Sequence, residues 1–246
     1  FHRPSCRAKQ WQNYDRFKNS CDPVQEHYDG VRHCHSSSLS TWLDKRCMLS
    51  LDIACGYGES TRTLKRFSET VVGVDSSAEM IRIANEQGLG EHFQFVCSAF
   101  EEYDPGDLRF DHISATWYLN HIHDELSLVN IFKKIDSMLA PGGSVSFVVP
   151  SDSFTSRPIQ QLARELMNWQ QAWTEERSNW TKGVFSYGEE WIPTTIWQPL
   201  HLMRLLDRWF DMRTWDVKGT IVREHRMNFL DTEPPFEILF GTQRLT

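Results

Sequence analysis

The sequence predicts an α/β fold: an open, doubly wound, mostly parallel sheet. Three observations carry this. A short apolar run ends in the acid-started, glycine-punctuated turn Leu51-Asp52-Ile53-Ala54-Cys55-Gly56-Tyr57-Gly58-Glu59-Ser60, and a helix-like segment (60–67) follows. That order of strand, Gly-rich turn and helix builds a nucleotide-sized site at the carboxyl end of a first strand. A second apolar run, Thr70-Val71-Val72-Gly73-Val74, ends in Asp75, 17 residues past Gly58 and placed to accept hydrogen bonds from a ribose diol. Strand and amphipathic-helix patterns then alternate as far as Val149.

The elements follow in order. Residues 5–45 read as two or three short helices, with Trp11, Tyr14, Phe17 and Lys18 on one face, a turn at Cys21-Asp22-Pro23 and a helix over 38–43. Strand one covers about 48–54 and strand two 70–74. A helix over 78–87 is opened by Ser76-Ser77, a natural N-cap pair. Phe93-Gln94-Phe95-Val96 is strand three and 110–115 strand four. An amphipathic helix over 126–139 stops at Ala140-Pro141-Gly142-Gly143, before strand five at 144–149. After Pro150 the alternation breaks. A tryptophan-rich stretch offers a helix with Ile159, Leu162, Leu166, Trp169 and Trp173 on one stripe, then a looser aromatic run over 178–195. A helix over 196–210 and strands at 215–222 and 236–243 end the chain.

Two ligands suit the glycine turn, a dinucleotide and S-adenosylmethionine. A dinucleotide site wants a third glycine where Thr61 stands. Glu59 would repel a pyrophosphate, and Asp52 suits ammonium and sulfonium charges instead. The stretch resembles motif I of the class I S-adenosylmethionine-dependent methyltransferases. Asp75 matches that family's ribose-binding acid, and Leu139-Ala140-Pro141-Gly142-Gly143 its recurrent turn before strand five. The resemblance covers residues 48–150. It implies seven strands in a Rossmann-like sheet, N-terminal helices that close over the site, and a small-molecule acceptor held by a cap inserted after strand five. The expected organisation is a single domain: lid helices over 1–47, cofactor core over 48–150, cap over 151–195, and last helix and hairpin over 196–246.

By the same resemblance Asp52, Ala54, Cys55, Gly56 and Gly58 frame the methionine part of S-adenosylmethionine, and Asp75 the ribose. Ser76 and Met80 flank ribose and adenine, Ser98, Ala99 and Phe100 meet the adenine, and Thr116 and Trp117 wall the methyl or adenine side. The acid expected beside Ser98 is missing, with Glu101 or Glu102 as substitutes. Methyl transfer is in-line displacement from an activated donor, so positioning and exclusion of water supply much of the rate. A base is needed only for a protonated acceptor, and His121, His123 and Tyr118 lie beyond strand four, where a side chain can face the methyl. Tyr14 and Tyr28 are candidate lid residues. Trp169, Trp173, Trp191 and Trp197 are candidate walls of a bulky or aromatic acceptor site, or of a site that surrounds a cation with π-faces, set against the plainer reading of a small apolar cap core; Trp180 belongs to the same group.

Composition narrows the classes. With 26 basic and 33 acidic residues the net charge is −7, which argues against a nucleic-acid footprint. No apolar run reaches membrane-spanning length, and Phe1-His2-Arg3-Pro4 opens no signal peptide, so a cytoplasmic enzyme with reduced thiols at its six cysteines is expected. The chain does not begin with Met, so its numbering is expected to start inside a longer protein. His33-Cys34-His35 has no partner at finger-type spacing and reads as a polar loop, with no metal expected. Three rival functions are a non-methylating reaction such as a cyclisation, an S-adenosylmethionine-sensing or partner subunit, and methylation of protein or nucleic acid. The last lacks a basic aromatic track and has Thr116-Trp117-Tyr118-Leu119 in place of an Asn-Pro-Pro-Tyr signature.

Overall fold

A computed structural model describes residues 22–187, 190–224 and 234–244. The predicted helix face of Trp11, Tyr14, Phe17 and Lys18, the lid candidate Tyr14, and Cys6 and Cys21 lie outside these residues, as do the side chains of Leu162 and Leu166.

Helix α1 (Asp22–Trp42) precedes β1 (Cys47–Ile53), α2 (Glu59–Lys65), β2 (Ser68–Asp75), α3 (Ala78–Glu86), β3 (Phe93–Cys97), β4 (Phe110–Thr116), α4 (Glu125–Met138) and β5 (Leu139–Pro150). Then come α5 (Arg157–Met167), β6 (Trp169–Glu176), β7 (Trp180–Tyr187), β8 (Glu190–Trp197), α6 (Pro199–Leu206), β9 (Phe210–Thr214), α7 (Val217–Glu224) and β10 (Phe236–Gln243). Seven strands form one sheet in the order β3-β2-β1-β4-β5-β10-β9, and β6-β7-β8 form a second, three-stranded sheet. The first five strands of the large sheet pair in parallel, whereas β10 is antiparallel to β5 and β9. Strand order reverses between β1 and β4, so the crevice beyond their carboxyl ends is the switch point where open α/β sheets bind ligands.

Local chemistry explains the frame. Leu51, Ile53, Val72, Ile113 and Phe147 are buried, as strands covered on both faces require. The Ser77 hydroxyl caps α3 by accepting from the Met80 amide at 3.3 Å, and Asp124 caps α4 by accepting from Ser127 N at 2.9 Å. Leu128, Ile131, Phe132 and Ile135 turn the apolar face of α4 onto the sheet. The Pro141-Gly142-Gly143 turn is looped out between the Phe110–Leu139 and His112–Ser144 pairs, and Gly142 takes φ 75° there.

Three expectations are corrected. The stretch His33-Cys34-His35 is not a loop: it belongs to the single 21-residue helix α1, whose buried Val31, Cys34, Ser38 and Leu39 repeat at helical spacing. Beyond Pro150 the helix stops early, because Asn168 adopts the left-handed conformation (φ 53°), which Asn tolerates at a helix end. Trp169 and Trp173 therefore stand on β6, and the aromatic run 178–195 forms β7 and β8. The sixth strand of the large sheet is β9, in which Phe210 is buried and the polar Asp211, Arg213 and Thr214 are not; it replaces the strand expected at 215–222. There Asp216 accepts from Gly219 N at 2.8 Å and starts α7.

Candidate active site at the switch point

The glycine turn and β2 are tied by one carboxylate. Asp75 Oδ2 accepts from the Gly56 amide at 2.9 Å, and Oδ1 accepts from the Ser77 amide at 2.8 Å. A Cβ on Gly58 (φ 92°) would stand 3.0 Å from the Phe95 ring, so glycine is required there both for conformation and for space. Ala54, at the end of β1, and Trp117, just past β4, also take positive φ (55° and 58°). Two strained non-glycine residues thus flank the crevice, the kind of backbone cost that a surrounding structure maintains at functional sites.

Asp52 is fully buried beneath the turn. Its Oδ2 accepts from the hydroxyls of Ser60 and Thr61, both at 2.6 Å, while its buried Oδ1 has no hydrogen-bond partner. Burial pushes its pKa up to about 7; the two hydroxyl bonds oppose that rise and the nearby Asp75 charge adds to it.

A cleft of about 890 Å³, open to solvent, lies over this turn. Its walls include Ala54, Cys55, Gly56, Asp75, Met80, Thr116, Trp117 and His121, all of them expected site residues. The unforeseen walls are Val31, Arg32 and His35 of α1, with Tyr57, Ser60 and Thr63. Arg32 donates to Glu59 Oε2 at 2.7 Å and also pairs with Asp29, so α1 is latched to the start of α2 across the cleft. His35 hydrogen-bonds Ser146 at 3.0 Å, and Ser146 bonds in turn to His112 at 2.9 Å and Ser114 at 3.1 Å. Burial lowers the His35 pKa to about 4 and that of His112 to about 3, so both are neutral at pH 7.

A second cavity, of about 570 Å³ when space open to solvent is counted, lies beside the three-stranded sheet, lined by His27, Tyr28, Trp117, Asn120, His121, Pro150, Phe154, Trp169, Phe185, Ile192 and Thr194. Tyr28, Trp117 and His121 line both cavities and form the partition between them.

The remaining expected residues are distributed more widely. Asp52, Gly58, Ser76, Ser98, Ala99 and Phe100 are not among the cleft walls, although Ser98 N donates to the Asp75 carbonyl at 2.9 Å. Phe100 is buried in the main core, edge-on to Tyr118, whose hydroxyl bonds Glu101 at 3.2 Å. Of the three candidate catalytic residues only His121 faces a cavity; His123 is exposed on the other side of the loop and bonds Thr195 at 2.9 Å. Trp169 lines the second cavity, and Trp173 packs beside it against Phe154. Two wall assignments are corrected. Trp197 is in the main core, 2% exposed, with Nε1 donating to the Ile122 carbonyl, and Trp191 is 43% exposed. The α1 walls were hidden by the polar look of 33–38, although Tyr28, Val31, Arg32 and His35 share a helical face by spacing alone.

This geometry defines an α/β protein with a ligand cleft at the switch point. Residues 51–143 match the family described as "Methyltransferase domain". That match, together with the relatives below, supports a class I S-adenosylmethionine-dependent methyltransferase with S-adenosylmethionine as its cofactor. A ubiquinone biosynthesis O-methyltransferase of Bradyrhizobium diazoefficiens is 30% identical over 138 residues, covering 54% of this chain and 51% of that one. A trans-aconitate 2-methyltransferase of Rhodopseudomonas palustris is 31% identical over 143 residues, covering 56% and 50%. The chain thus spans about half the length of these relatives. The solved DhpI-SAH complex shares the fold, with a TM-score of 0.64 and 19% identity over 99% of this chain and 94% of that one. No described helix is long and apolar enough to cross a membrane, and the described residues contain no metal-holding cluster.

Proposed function

We propose that this chain transfers a methyl group from S-adenosylmethionine to a small-molecule acceptor by in-line displacement. The carrying observation is the pair of cavities that meet at Tyr28, Trp117 and His121, one over the glycine turn and one beside the three-stranded sheet.

The residues present fit the cofactor. Asp52 Oδ1, buried and unpartnered, matches an ammonium, and Glu59 and Asp75 add negative charge at the cleft wall. Arg32 is the cation among the described cleft walls and suits a carboxylate. Asp75 would receive the ribose hydroxyls, and Met80 would cover the adenine from α3, with Ser76, Ser98, Ala99 and Phe100 around that end. When bound, the cofactor supplies an activated methyl on a sulfonium. The chain's part is to orient the acceptor, exclude water with α1 and the cap, and accept a proton at His121 if the acceptor carries one.

Isothermal titration with S-adenosylhomocysteine tests the cofactor reading; no heat of binding would remove it. A mass-spectrometric screen for methylated products from a metabolite extract tests turnover.

A further inference from the structure

We infer that the cavity beside the three-stranded sheet takes an uncharged, planar aromatic molecule bearing a hydroxyl group, with Trp117 and Asn120 receiving the hydroxyl. The inference rests on the methyltransferase reading only in making this molecule the methyl acceptor.

The walls set the shape. Trp169 lies 5.2 Å from Phe185 between ring centroids and 6.3 Å from Tyr28, and Phe154 lies 5.7 Å from Phe185. His27 stands edge-on to Trp169 at 5.7 Å. These rings come from α1, β6, β7 and the turn after β5, so the box exists only where lid and cap meet the sheet. Aromatic walls favour a flat ligand that can stack or meet them edge-on.

The charge pattern sets the ligand's charge. Among the described residues no Asp, Glu, Lys or Arg lines this cavity. Burial also lowers the His27 pKa to about 4, so its ring is neutral at pH 7. A carboxylate brought into such a box would lose its hydration without gaining a counter-charge, and an ammonium would gain only the π-faces of the rings.

The polar atoms set the functional group and its direction. Trp117 Nε1 and Asn120 Oδ1 are buried and have no hydrogen-bond partner among the described residues. One can only donate and the other only accept, and a hydroxyl both accepts and donates. Trp117 belongs to the partition, and Asn120 lines the second cavity and is next in sequence to His121, with its amide nitrogen 3.4 Å from His121 Nε2. A hydroxyl held there points toward the first cavity and not into the aromatic end of the box. In the transfer the acceptor oxygen would gain the methyl carbon as the cofactor's sulfonium–carbon bond breaks, and the hydroxyl proton would pass to His121, once its Nε2 is released from the Asn120 amide, and then to water.

The test is titration of four probes sharing one ring system: naphthalene, 2-naphthol, 2-naphthoate and trimethyl(2-naphthyl)ammonium, each with the protein alone and with the protein saturated with S-adenosylhomocysteine. The naphthol should bind at least about tenfold more tightly than the carboxylate or the ammonium. Asn120→Leu should weaken the naphthol about tenfold and leave naphthalene and S-adenosylhomocysteine affinities unchanged. Trp117→Phe, which keeps an aromatic ring and deletes the N–H, should also weaken the naphthol more than naphthalene; because Trp117 walls the cofactor cleft as well, the unchanged S-adenosylhomocysteine affinity is read on Asn120→Leu alone. Equal binding of the carboxylate or the ammonium, or no binding of the naphthol, overturns the inference. A protein that takes the naphthol but not S-adenosylhomocysteine supports the chamber and defeats the methyltransferase reading alone.

Discussion

The Gly56 amide donates to Asp75 Oδ2 at 2.9 Å, which makes the glycine turn after β1 and the acid after β2 one hydrogen-bonded unit. The other carboxylate oxygen holds the Ser77 amide at the start of α3. Asp75 therefore positions the turn in addition to facing the cleft. Asp75→Ala removes both acceptors and should weaken S-adenosylhomocysteine binding by roughly 10- to 100-fold, the loss of one hydrogen bond to a charged group at about 1.5–3 kcal/mol. Asp75→Asn keeps one acceptor and should lose less. Titration of the two variants checks this, and equal affinities for both variants and the parent would remove Asp75 from the site.

Asp52 is held as a half-satisfied carboxylate, with Oδ2 doubly bonded and Oδ1 bare. A group whose folded pKa is raised to about 7 from 3.8 costs stability above pH 3.8, most fully above pH 7. Asp52→Asn removes the buried charge and should hold or raise the melting temperature at pH 8 while lowering cofactor affinity. An ammonium beside Oδ1 would also favour the ionised form, so binding at pH 7 should release a fraction of a proton. Titrations in buffers of different ionisation enthalpy measure that fraction, and zero release would separate Asp52 from the cofactor.

The core of this site was legible because its chemistry is local. Strand, glycine turn, Asp75 and the Pro141-Gly142-Gly143 turn each sit within a few residues of their own signal, and the parallel order followed from the alternation. The cap was misread for a reason of periodicity. Residues four apart, such as Trp169 and Trp173, share a face on a helix and on a strand alike, so that stripe could not choose between them. The choice was made by Asn168, one residue in a left-handed conformation. The α1 wall was obscured differently: His35 looks like a surface residue in sequence, and only Ser146, 111 positions away, gives it a buried partner.

His121 and His123 stand two positions apart, with only Ile122 between them. His121 faces both cavities, whereas His123 is exposed and bonded to Thr195 in the cap. If the acceptor is protonated, His121→Ala should lower kcat by roughly 10²- to 10⁴-fold, the usual range for a lost general base. It should also flatten the acid limb of the rate–pH profile. His123→Ala should leave kcat within about twofold. A variant pair with the opposite ranking would reassign the base.

Three histidines are buried with pKa values lowered by desolvation: His27 and His35 to about 4 and His112 to about 3, from 6.5. The unfolded chain takes up these three protons near pH 6.5 and the folded chain refuses them until about pH 4, so their contribution is present above pH 6.5 and lost on acidification. Asp52 acts in the opposite sense, since the folded chain binds its proton below about 7 and the unfolded chain only below 3.8. Three protons against one leave a net of two taken up on unfolding near pH 5.5, each worth at most about 1.4 kcal/mol per pH unit. Burial also raises the carboxyl pKa values of Asp152 and Glu237, which weakens the slope at its acidic end. Chemical denaturation at pH 7.5, 6.5 and 5.5 should therefore show stability falling with pH. His112→Gln should make the decline shallower by about one proton, because Ser144 and Ser146 can still be bonded by an amide that does not titrate. A stability that is flat or rises toward pH 5.5 would mean that these rings are hydrated, and that the hydrogen-bonded chain from α1 through His35 and Ser146 to His112 does not hold the lid helix to the sheet.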